Sequence, residues 1–264
     1  MPATYTHYLV AKNTLQRLPE TRRSRISLFL PLYFFGAQGA DFCFFYHSFT
    51  PKTPNFGSYL HRKGGFDAFS VLRLFSMNSS LIKAYALGFI THYATDFTFH
   101  PYVYSVSGKS PVTHNRLEYA LDLYFKSNEK NNDEYAQYQK TALNETQKKE
   151  LFYAYGAIAA KCGFPTLSYN SFLRAISLFN AYPPISSTLF KRKDTAFLQV
   201  AANEEKSPWT PPAEPNVIRK ESAKELLELS VLKSVNLIDS FLFSVENKTP
   251  LPKKSFSKSF LTGL

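Results

Sequence analysis

Cysteine is almost missing from this chain: Cys43 and Cys162 are the only two of 264 residues, and they form no CxxC spacing. That excludes a disulfide framework and a thiolate zinc knuckle, and it fits a reducing compartment. No apolar run reaches the length of a membrane span. The opening stretch, MPATYTHYLVAKNTLQRLPE, lacks a basic region followed by an apolar one, so a cytoplasmic protein without secretory signal is expected. Glycine-rich phosphate loops and internal repeats are absent as well. Alternating β-branched runs, the mark of strands, are too few to compete with helix anywhere.

What is present is a hydrophobic content of 44%, with 25 Phe and 17 Tyr, enough to bury a sizeable core. Apolar spacings of three and four predict an all-α protein, a single-domain multi-helix bundle over residues 1–264 with a metal-binding cleft. Helices are expected at about 5–18, 24–35, 66–77, 80–100, 114–127, 145–162, 168–182 and 217–246. Loops are expected at 48–57, 105–113 and the Pro-rich 204–216, which either tethers the final helix or lies across an opening. That helix carries an apolar stripe through Leu226, Leu229, Leu232 and Leu237. A net charge of +11 and a pI near 9.5 favour anionic partners such as phospholipid headgroups, nucleotides or nucleic acid, among which charge alone does not choose. The basic segments at 191–193 and Lys248–Lys258 read as solvated surface; with Phe256 and Phe260 the second could also touch a membrane surface.

The stretch GFITHYATDFTFHPYV, residues 88–103, breaks the pattern of a buried helix. His92, Asp96 and His100 recur every fourth residue and line one face, but over roughly 12 Å of axis. One zinc, with bonds near 2 Å, cannot reach all three, so two metals are implied: one at His92 and Asp96, another at His100. Pro101 follows at once, which predicts that the helix ends at His100 and frees its ring to turn away. His114 and Glu118 form a second pair four apart, and with His100 they make a His, His, Glu set of the kind found in zinc enzymes. His7, Asp41 and His61 are further candidates; singly, each resembles an ordinary core or surface residue. Their weight comes from distribution, because all six histidines lie within the first 114 residues.

Taken in order, an N-terminal His, then Gly-x-x-Gly-x-Asp, Leu-His, His-x3-Asp-x3-His-Pro and His-x3-Glu, the pattern resembles the zinc-dependent phospholipase C family, in its intracellular bacterial branch. That family is distantly related to P1-type nucleases. The resemblance runs from Met1 to about Phe125, the metal-site half, and leaves 126–264 as a helical half without assigned role. It implies an all-helical fold with up to three zinc ions: one held by Asp41, His61, His92 and Asp96, a second by His100, His114 and Glu118, a third by His7 with Asp96 bridging. Secreted relatives complete the third site with a processed N-terminal Trp, which this chain lacks; removal of Met1 would expose Pro2 instead. The spacing from Asp96 to His100 is shorter than in those relatives and matches the intracellular branch.

Three zinc ions would outweigh the three carboxylates and leave a cationic pocket suited to phosphate. The implied reaction is phosphodiester hydrolysis of a phospholipid or smaller diester, with Asp41 as general base. Two alternatives remain open: a P1-like nuclease or nucleotidase, and a non-catalytic helical protein stabilised by metal. No stable nucleic-acid partner is expected, and the sequence leaves the oligomeric state open. Phe42, Phe44, Phe45 and Tyr46 read as core or as a wall for a headgroup or base; Arg62 and Arg116 are not placed in the site, and Asp122, one turn beyond Glu118, reads as an exposed charge or as a group that orients a ligand.

Overall fold

The computed structural model describes residues 4–46, 55–128, 143–181 and 195–264. In chain order the helices are α1 (Thr4–Arg17), α2 (Glu20–Ser27), α3 (Leu30–Gly36), α4 (Phe56–Tyr59), α5 (Gly65–Ser76), α6 (Ser80–Ser107) and α7 (Pro111–Asn128). They continue as α8 (Glu145–Lys161), α9 (Tyr169–Ala181), α10 (Thr195–Ala202), α11 (Ala223–Glu246) and α12 (Lys253–Phe256). A 3-10 turn, Asp41–Phe45, and a π turn, Leu60–Gly64, complete the regular backbone. There is no strand among the described residues, only an isolated antiparallel bridge between Trp209 and Arg219. The basic segment 191–193 and most of the loop expected at 48–57 lie outside the described residues.

Helix α6 is the axis of a single all-α domain. It is started by Ser79, whose side chain accepts from the Ile82 amide, and from Ala84 to Val103 every residue is buried. Helices α1, α3, α5, α7, α8 and α11 pack around it. The closest approach is to α3, where a Cβ on Gly36 would lie 2.1 Å from the Tyr85 carbonyl and one on Gly88 would lie 1.9 Å from that of Tyr33. Two helices touching backbone to backbone hold α3, and the turn after it, rigidly against the metal-competent stripe.

Several expectations are corrected. The helix expected over 24–35 is two helices, because Pro31 cannot continue a helix but starts one well. The final helix begins at Ala223, not 217, since Ser222 and Glu225 form a capping box there. Its inward face runs through Leu226, Ser230, Ser234, Leu237 and Phe241, whereas Leu232 is 49% exposed. The serine hydroxyls bond back to Leu226 and Ser230 carbonyls, so small polar residues sit dry against the core. Phe256 and Phe260 are 0% and 1% exposed, which removes them as membrane contacts. No helix among the described residues is long and apolar enough to cross a membrane.

Candidate metal centre

The site is assembled from four pieces of chain around the middle of α6. Gly36, Gly39 and Asp41 make the first piece intelligible. Gly39 has φ +59, and a Cβ there would lie 2.2 Å from the His92 ring, so only glycine lets the chain turn over that imidazole. The turn delivers Asp41 into the cavity at the start of the 3-10 segment. Helix α1 contributes His7, α7 contributes His114 and Glu118, and the π turn contributes His61.

Contrary to expectation, α6 does not end at His100. It runs through Pro101 to Ser107, because burial on all sides outweighs the bias against helix before proline. His100 therefore keeps its place on the stripe with His92 and Asp96. Asp96 sits at the centre. Its Oδ2 is 3.2 Å from His92 Nε2 and 3.7 Å from His61 Nε2, and its Oδ1 is 3.3 Å from His7 Nε2 and 3.8 Å from His100 Nδ1. On one side, His61 Nε2 is 3.1 Å from Asp41 Oδ1 and 3.4 Å from His92 Nε2. On the other, Glu118 Oε1 is 3.3 Å from His100 Nε2 and 3.2 Å from His114 Nε2.

Three donor sets result, each with its atoms within 4.8 Å of one another: Asp41, His61 and His92; His7, His92 and Asp96; His100, His114 and Glu118. All eight candidate side chains thus come together, and the set of His7 and Asp96 gains His92, whose ring stacks on His7 at 4.3 Å. A terminal amine ligand at Pro2 lies outside the described residues.

The electrostatics are those of a cation site. Burial raises the Asp41 and Asp96 carboxyls, but the surrounding imidazoles outweigh it and hold both below the ordinary range, Asp96 well below. Glu118 is likewise driven down, against burial, by positive charge and the hydrogen bonds from His100 and His114. Burial disfavours charge on His100, yet Asp96 and Glu118 lift its pKa to about 9. Three buried carboxylates face five imidazoles. Nδ1 of His7, His92 and His114 is buried without a hydrogen-bond partner among the described residues. Nitrogen and carboxylate donors in this number suit zinc, and the residues present fit the metal that the sequence pattern implies.

The cavity, bordered by the candidate donors other than His92, has a volume of about 160 Å³ and is also lined by Phe44, Ser58, Arg62, Tyr104 and Leu261. Arg62 was not expected there. Its signal lies in the π turn, whose wider spacing lets His61 and Arg62, adjacent in sequence, both face the cavity. Arg116 instead places its guanidinium 4.6 Å from the Phe197 ring. Phe42 packs in the core against Tyr155 and Phe172, whereas Phe44 lies 4.9 Å from His61 and forms a wall. Beside the cavity, sharing Arg62, Tyr104 and Leu261, is a trough of about 460 Å³ walled by Pro101, Pro211, Pro212 and Ala213, with Lys109 at its edge. The Pro-rich segment thus borders the opening.

Asp122 is not an exposed charge. It is buried and accepts from the Tyr5 amide (3.1 Å), the Thr6 amide (2.8 Å) and the Thr6 hydroxyl (2.7 Å), tying α7 to the first turn of α1 beside His7. Burial pushes its pKa up to about 7 against these three bonds.

The family description of zinc-dependent phospholipase C matches residues 6–161, more than half of the chain, and includes all eight donors. The chain belongs to the zinc-dependent phospholipase C family. Searches of curated proteins and of solved structures returned no match. The class of protein is therefore a zinc hydrolase of the phospholipase C type with an all-α fold.

Proposed function

We propose that the protein hydrolyses a phosphodiester bearing an apolar group, with three zinc positions formed by the eight donors. Asp41, His61, His92 and Asp96 would hold the first; His100, His114 and Glu118 the second; His7 with Asp96, beside His92, the third. The observation that supports this most directly is Asp96, which turns one oxygen toward His92 and His61 and the other toward His7 and His100. Zinc in such a site supplies concentrated positive charge, which acidifies water and polarises phosphoryl oxygens.

The chain's own groups supply the rest. Asp41 borders the cavity with Oδ1 aimed at His61, and it is the carboxylate placed to take the proton of the attacking water. Arg62 brings a planar guanidinium to the same cavity, with the geometry to grip two phosphate oxygens. Tyr104 lies 4.7 Å from His114 and 5.7 Å from His100, closing the side toward the trough. The trough, built mainly of proline, alanine, leucine and tyrosine surface, suits an acyl or other apolar arm better than a polynucleotide.

The test pairs zinc analysis with a substrate panel: short-chain phosphatidylcholine, a small aromatic phosphodiester and single-stranded DNA. Two or three zinc per chain and preference for the diesters with apolar arms are expected. Asp41→Asn should keep most zinc and lose about 10²–10⁴-fold in kcat. A chain that purifies without zinc, or an Asn variant with near-normal turnover, overturns the reading.

A further inference from the structure

We infer that the segment 257–263 is a positioning element of the metal centre, its Phe260 carbonyl fixing the imidazole of His100. The inference rests on the zinc reading above. Nδ1–H of His100 donates to Phe260 O at 2.8 Å, leaving Nε2, 3.3 Å from Glu118, free to bind metal. The same residue's amide donates to the His61 carbonyl at 3.1 Å, and its ring lies 5.0 Å from that of His61 and 4.7 Å from Tyr93. One residue therefore braces two pieces of the site, the π turn and α6.

The segment is itself held in register. The Lys258 amide donates to the Tyr93 hydroxyl at 2.9 Å, and the Gly263 amide donates to the Ser259 carbonyl at 2.9 Å. Gly263 has φ +75, and a Cβ there would lie 2.7 Å from the Phe97 carbonyl. That carbonyl is the one whose helical donor Pro101 removes, so the proline in α6 and the glycine in the loop meet at a single contact. All eight donors lie within residues 6–161, and Phe260 lies far outside them. His61 is oriented from within the matched region, by Gly57 O at 2.7 Å; His100 depends on this distant loop.

The test measures zinc affinity by competition with a chromophoric chelator, together with the His100 tautomer by imidazole nitrogen NMR. Phe260→Ala is expected to weaken one zinc by about 10–100-fold and to lose the Nδ1–H tautomer, while Phe260→Leu recovers most of both. Phe256→Ala, a buried Phe at the end of α12 just before the segment and packed on Phe69, Phe241 and Tyr93 rather than on a donor, should leave zinc affinity within about twofold. Should Phe260→Ala not fold, Gly263→Ala puts the same question by forcing the loop from Phe97, and weakened zinc is again expected. Wild-type affinity in Phe260→Ala or Gly263→Ala, or equal losses in Phe256→Ala, overturns the inference and leaves the zinc reading standing. A wild-type chain that binds no zinc overturns both.

Discussion

Replacing Asp122 by Ala removes the acceptor that fastens the first turn of α1, where amide groups have no partner within the helix. Tyr5 and Thr6 are 3% and 1% exposed, so water cannot take over. Two stranded buried amides at about 1–2 kcal/mol each, plus a hydroxyl bond at about 1, come to roughly 3–5 kcal/mol. For a domain of this size that is a fall in Tm of roughly 6–20 °C, read by calorimetry at fixed zinc. His7 follows Thr6 directly, so zinc at the His7 set should weaken as well, by about tenfold or more. The pH dependence has a definite sign. The folded carboxyl titrates near 7, above its ordinary 3.8, so its contribution is full below about pH 4 and is lost as pH rises through about 7. The loss is about 1.4 kcal/mol per pH unit, about 4 kcal/mol in all. The stability gap between wild type and Asp122→Ala should therefore be widest at acid pH and narrow toward pH 8. A variant within about 1 kcal/mol of wild type, or a gap that widens with pH, refutes the reasoning.

Arg62→Lys keeps the charge but loses the planar fork, and should cost about tenfold in kcat/KM on a small phosphodiester, about 1.4 kcal/mol, with zinc content unchanged. Gly39→Ala forces a methyl into the His92 ring at a positive φ; a loss of roughly 2–4 kcal/mol by urea unfolding is expected, with weaker zinc binding. An unchanged urea midpoint would show that the turn over His92 can move aside.

The candidate donors that come together were legible as candidates because metal chemistry restricts residue type, and helical spacing puts such residues on one stripe: His92, Asp96 and His100 stand out against an apolar helix. Period also showed the long helices, but eight were expected where twelve are described: α4, α10 and α12 are too short to show a period, and 24–35 is split into α2 and α3. What periodicity cannot show is contact between distant segments. Arg62 escaped because a π turn changes the angular step between neighbours. The bonds of Asp122 escaped because its partners, two backbone amides and a hydroxyl, lie 116 and 117 positions away. The end assigned to α6 at His100 was wrong because a local proline preference of a few kcal/mol yields to burial along a whole helix. The role of Phe260 was invisible because it is exerted through a carbonyl, which every residue has.

The bond from His100 to Phe260 also sets an order of events during biosynthesis. Glu118, the last of the eight donors, leaves the ribosome 142 positions ahead of Phe260. A growing polypeptide can thus present every donor while the brace on His100 does not yet exist, so cations captured early would be held loosely and exchange readily. Tight retention would begin only when translation delivers the loop that closes over α6.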